Sequence, residues 1–126
     1  MKAELVSDPI CVVDEKAGLV KAFFSFKAVQ PSGDLVELSW EEGEPRENGK
    51  KAGGTSRCVV EDDTVPFVCE LSIPVDLFLK GARLKLRLRT FDPIYEIGYG
   101  KARLTGRADD PSQSLSFVVT GWTDHS

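Results

Sequence analysis

The stretch ARLKLRLRTF, residues 82–91, carries the cleanest alternation in the chain, and its reading decides the fold class. Leu84, Leu86 and Leu88 share one parity; Arg83, Lys85, Arg87 and Arg89 share the other. A helix would scatter those leucines around its axis, whereas a strand puts every second residue on the same side. The spacing therefore predicts a strand with one face in a core and one face basic. Alternate residues of a strand lie about 6.6–7 Å apart, so the cations would be spread over roughly 20 Å.

The flanking residues follow the same rule. Upstream, residues 67–73 set Phe67, Cys69, Leu71 and Ile73 against Val68, Glu70 and Ser72. Residues 75–80, VDLFLK, read as a short helical or turn element between the two strands. Downstream, residues 92–95, DPIY, form a turn, and residues 97–104 form a strand containing Gly98 and Gly100. Glycines inside a strand often mark a bulge or a close backbone approach. Lys101 and Arg103 share a parity there and extend the basic face.

Further out, residues 19–29 place Val20, Ala22, Phe24, Phe26 and Ala28 opposite Lys21, Phe23, Ser25 and Lys27. Residues 35–40 align Val36, Leu38 and Trp40, and residues 114–122 align Leu115, Phe117 and Val119. The opening strand, within residues 2–13, is broken or bulged at Ser7-Asp8-Pro9, because proline cannot donate to a ladder. With residues 55–60 the total is about eight strands, which fits an all-β, antiparallel two-sheet sandwich. Residues 41–54, EEGEPRENGKKAGG, hold no large apolar side chain and read as a flexible surface loop inside one domain over residues 1–126.

Residues 55–104 together resemble a C2 domain. The parts that carry the likeness are TSRCVV (55–60), DTVP (63–66), the alternating strand 67–73, VDLFLK (75–80), LKLRLRTFD (84–92) and Ile97-Gly98. The resemblance implies an eight-stranded antiparallel β-sandwich of C2 type. An immunoglobulin-like or fibronectin-like sandwich uses the same strand grammar and stays open as the alternative. Calcium-binding C2 domains gather several aspartates in their apical loops, including a D-x-D after the central strand. Here Asp92 stands at the first of those positions, but Ile94 lies two along. Glu96 approximates the later acid, and Asp14 or Asp8 the one in the first loop. Calcium needs about 6–8 oxygens, so the likeness implies a calcium-independent domain with no metal and no cofactor. The strand Ile97-Gly98-Tyr99-Gly100, coupled with the missing ligands, is similar to C2-like domains of centriolar and ciliary transition-zone proteins, which are calcium-independent assembly modules.

Composition narrows the function. The net charge of −4 disfavours nucleic-acid binding, for which a basic domain is expected. The single histidine, His125, stands next to the last residue, and no G-x-S-x-G, H-E-x-x-H or Cys–His arrangement accompanies it. The expectation is a chain that is not an enzyme. Three cysteines without a C-x-x-C pair argue against a disulfide framework or a zinc site; Cys58 and Cys69 read as small buried hydrophobes. With no signal-like or membrane-spanning run, the expected address is intracellular and cytoplasmic, including the centrosome, the cilium or a membrane periphery.

The basic strand face, Arg83, Lys85, Arg87, Arg89, Lys101 and Arg103, is the candidate binding site, with Tyr95 as an aromatic in the adjoining loop. Three readings compete for it. It docks an acidic protein, as a protein–protein interaction or scaffold module; it meets an anionic, phosphoinositide-containing membrane; or it is a solvated face whose cations pair with Glu70 or other acids. An accessory domain of a larger enzyme is a further alternative.

Overall fold

In the computed structural model, which describes residues 3–28, 35–43, 51–59, 66–90, 96–109 and 114–124, period-two alternation becomes nine strands and one short helix. In chain order they are β1 (Ala3–Leu5), β2 (Ile10–Asp14), β3 (Leu19–Ala28), β4 (Leu35–Glu42), β5 (Gly53–Val59) and β6 (Phe67–Pro74). Then come α1 (Val75–Leu79), β7 (Arg83–Thr90), β8 (Glu96–Thr105) and β9 (Ser116–Asp124).

The ninth strand comes from the break in the opening strand. β1 and β2 both pair with β3, at Ala3↔Ala28 to Leu5↔Phe26 and at Ile10↔Phe23 to Asp14↔Leu19. Between them Ser7, Asp8 and Pro9 leave the ladder, and the Asp8 carboxylate accepts the Val119 backbone N–H at 2.9 Å. The interruption thus satisfies a donor on β9 in the opposite sheet.

All pairings are antiparallel. One sheet holds β1 and β2 beside β3, with β6 on the far side of β3; the other runs β5-β4-β7-β8-β9. Counting the broken strand once, the first, second and fifth strands face the third, fourth, sixth, seventh and eighth. Constant-type immunoglobulin sandwiches also group A, B and E against C, F and G, but they keep D with the first set, whereas the fourth strand here joins the second.

The inner faces meet in one core. Leu84, Leu86 and Leu88 are buried as their parity requires, packed in a cluster with Val20, Phe24, Phe26, Leu71, Ile73 and Phe117. Phe24 meets Phe117 edge-on, with ring centroids 5.2 Å apart. Each such side chain contributes about 1.5–3 kcal/mol by leaving water. α1 closes one end by burying Leu77 and Phe78, and Gly81, at φ 68°, turns the chain into β7. Lys80, at the end of that helix, pairs with Glu42, whose side chain is buried.

Two expectations need correction. Cys58 and Cys69 form a disulfide that joins β5 to β6, edge strands of opposite sheets, with Cα atoms 6.1 Å apart. Their spacing of 11 residues gives no sign of this, since only the sandwich seam brings them together. Second, the loop expected over residues 41–54 is shorter: Trp40 pairs with Gly54 and Glu41 with Gly53, so both ends belong to a hairpin. Residues 44–50 of it lie outside the described residues.

Two bulges set the faces of the five-stranded sheet. Between Leu88↔Gly98 and Arg89↔Glu96, Ile97 is an extra residue on β8. Between Ala102↔Val119 and Lys101↔Gly121, Thr120 is an extra residue on β9. An extra residue reverses the parity beyond it. The first turns Glu96 to the outer face, and the second turns Trp122 inward, where its ring lies across Gly98 and Gly100. A β-carbon on Gly98 would stand 2.6 Å from that ring, so the close approach needs glycine.

Candidate interaction surface

The outer face of the five-stranded sheet is a grid whose rows follow from register. The first row reads Arg57–Glu37–Arg89–Glu96, and the second Thr55–Ser39–Arg87–Tyr99–Thr123. The third reads Gly53–Glu41–Lys85–Lys101–Gly121, and the fourth is Arg83–Arg103–Val118. All six cations expected on the basic face are here, as β7 and β8 are neighbours.

Their electrostatic surroundings differ along the strands. At one end Glu37, with its side chain only 10% exposed, accepts Arg89 at 2.8 Å and Arg57 at 3.3 Å. The hydrogen bond from Arg89, reinforced by Arg57, holds the Glu37 carboxyl below the ordinary value of 4.5 despite burial. Arg87 pairs with Glu96 at 3.4 Å. That end is an ion-pair network of three arginines on two carboxylates.

The other end is different in kind. Arg83 stands directly opposite Arg103, and Lys85 directly opposite Lys101. Such partners have β-carbons about 4.5–5.5 Å apart, and like charges so placed destabilise a sheet. Among the described residues none of the four has an acid within ion-pair distance. Glu41, across from Lys85, pairs instead with Lys51 at 3.5 Å. All four are exposed.

A trough of about 740 Å³ crosses the sheet beside this block, lined by Ser39, Thr55, Lys85, Tyr99, Lys101 and Thr123 among others. A smaller recess of about 400 Å³ lies among Arg83, Lys85, Lys101 and Arg103 themselves. Gly53 and Gly121 flank the third row, so neither edge of that row carries a side chain. A β-carbon on Gly121 would meet nothing within 4 Å, so packing does not require glycine there.

The remaining sequence candidates fall elsewhere. Asp14 ends β2 and accepts the Ala17 N–H at 3.3 Å, as a turn-former does. Glu96 is the partner of Arg87. Asp92 and Tyr95 lie outside the described residues, as does His125. Glu70, expected among the acids that neutralise the basic face, is on the other sheet and pairs with Lys21 at 3.9 Å. The acids that neutralise the face are Glu37 and Glu96. Glu37 has a sequence signal of a kind, a charge flanked by Val36 and Leu38 within an apolar strand, but its partners depend on strand order.

No protein-family model matches the chain, and no curated protein matches it in sequence.

Proposed function

We propose that the chain is a non-catalytic interaction module that docks an acidic surface of a partner protein on the Arg83, Lys85, Lys101 and Arg103 end of the five-stranded sheet. One observation carries the reading: four exposed cations stand in two directly opposed like-charged pairs with no acid within ion-pair distance among the described residues. Folding gains nothing from that arrangement, whereas an acidic partner gains steering and selectivity from it. The C2 resemblance, including its centriolar and ciliary members, and the immunoglobulin-like alternative both support assembly as the class of function, although a fold alone does not assign one. The proposal involves no calcium: Asp14 is occupied by its turn and Glu96 by Arg87. The Cys58–Cys69 disulfide supports an oxidising compartment in place of the cytoplasm expected from sequence. The recessed shape favours a partner with relief over a planar bilayer.

The test is co-sedimentation with poly-glutamate beads and, separately, with phosphoinositide vesicles at physiological salt. The expected outcome is retention on the beads alone, weakened by added salt and lost in the Lys85→Gln/Lys101→Gln variant, which does not melt lower than the wild type. Retention on vesicles but not on beads would replace docking with membrane targeting.

A further inference from the structure

Resting on that docking reading, we infer that the occupant of the surface is an extended acidic segment with carboxylates at alternate positions, lying along β7 and β8. Arg83 and Lys85 are two residues apart on β7, and Arg103 and Lys101 are two apart on β8 in matching register. The block therefore repeats its positive charge at the strand interval of about 6.6–7 Å. An extended segment repeats its own side chains at that interval and stays in phase with the sheet beneath it. A helix returns to one face every three or four residues, at axial steps of roughly 4.5–6 Å, short of the interval between the two rows.

The next row sharpens the pattern. One strand interval beyond Lys85 and Lys101 lie Arg87, already paired with Glu96, and Tyr99, 44% exposed, with Ser39 and Thr123 on either side. A segment whose acids sit over the first two rows places its following alternate residue over this neutral, hydroxyl-rich stretch of the trough. The recognised pattern is acid-x-acid-x-uncharged. The same grid also limits the footprint. Further along, Glu37 and Glu96 offset two of the three charges on Arg57, Arg87 and Arg89, so the density of positive charge falls after two rows. A long polyanion such as a nucleic acid would extend past the block and meet a chain of net charge −4.

All β7 and β8 ladder groups in this region are committed to β4, β7, β8 and β9. Recognition therefore falls to the side chains, which makes the interval of the charges the selective element. Swapping lysine for arginine in the block keeps the interval; removing a charge does not.

The experiment uses the full chain and short fluorescein-labelled peptides with equal numbers of glutamates, two of them made of glutamate and threonine, read by anisotropy. One peptide alternates the two residues, one groups the glutamates in a block, and a third holds glutamates at helical spacing in an alanine-rich host. The alternating peptide is expected to bind about tenfold more tightly than either control. Lys85→Gln/Lys101→Gln should abolish that preference, and Lys85→Arg/Lys101→Arg should restore it. Equal binding of all three peptides would overturn the alternate-carboxylate inference and leave acidic docking standing. Binding of none would remove both. Tighter binding of the helical peptide, or of single-stranded DNA, would assign the surface to a different occupant.

Discussion

Arg89 and Arg83 lie on the same strand, on the same face and of the same residue type, yet they inhabit opposite environments. Arg89 rests against a nearly buried carboxylate that also holds Arg57, while Arg83 faces another arginine. The first end behaves as part of the fold, because removing Glu37 would take a carboxylate partner from two guanidinium groups. The second end is the surface proposed for docking, because directly opposed like charges do not stabilise a sheet. A single basic stripe in sequence thus divides into a half held by acids and a half without them among the described residues, the half proposed for docking.

The clamp behind the structural half is the place to break this contrast hardest. Cys58 follows Arg57 on β5, and its disulfide to Cys69 pins the edge strand that carries that arginine. Cys58→Ser/Cys69→Ser should cost about 2–4 kcal/mol in denaturant unfolding. Wild-type protein in strong reductant should unfold at the same midpoint as that variant. Oxidised, denatured protein should titrate a single thiol, that of Cys11, whose folded-state value burial pushes up to about 11. A reductant that leaves the wild-type midpoint unmoved would remove the clamp from the account.

Glu37→Gln comes next, with an expected loss of about 1–2 kcal/mol, moderated by the exposure of Arg57. Its pH signature has a definite sign. The folded-state value is held below 4.5, so the stabilisation is fully present above the unfolded value and is lost as pH falls through the folded one. Melting temperature measured downward from neutral pH should therefore fall more steeply below pH 4.5 in the wild type than in the variant. Parallel curves would mean that the network contributes nothing.

The smallest stability effect has the opposite sign. Lys85→Gln/Lys101→Gln should raise stability by about 0.2–1 kcal/mol, since it relieves a directly opposed like-charged pair. Calorimetry on the same preparation used for the peptide titrations reads both outcomes. A variant that melts lower than wild type would show that these lysines serve the fold, and the division of the face would collapse.

Much of this surface was legible beforehand. The parity of residues 82–91 places Leu84, Leu86 and Leu88 in the core and the four cations outside, as observed. Residues 67–73 behave likewise, with Phe67, Cys69, Leu71 and Ile73 buried. Strand parity is a local property, so a short window of sequence suffices. Glu96 is the instructive failure. It reads in sequence as an acid of a calcium loop, and only the strand register, with an extra residue at Ile97, sets it beside Arg87. Glu70 fails for a different reason. Its parity is outward as expected, but on the other sheet.

By itself, the sequence determined the all-β class, the faces of most strands and the presence of a basic stripe. Each of these follows from the two-residue repeat and the removal of apolar side chains from water. Tertiary structure alone decided which strands are neighbours, where the two bulges fall, that Cys58 meets Cys69, and that Arg83 and Lys85 lack acids among the described residues while Arg87 and Arg89 have them. Those outcomes depend on contacts between residues far apart in the chain, such as Glu37 with Arg89, which no local repeat encodes.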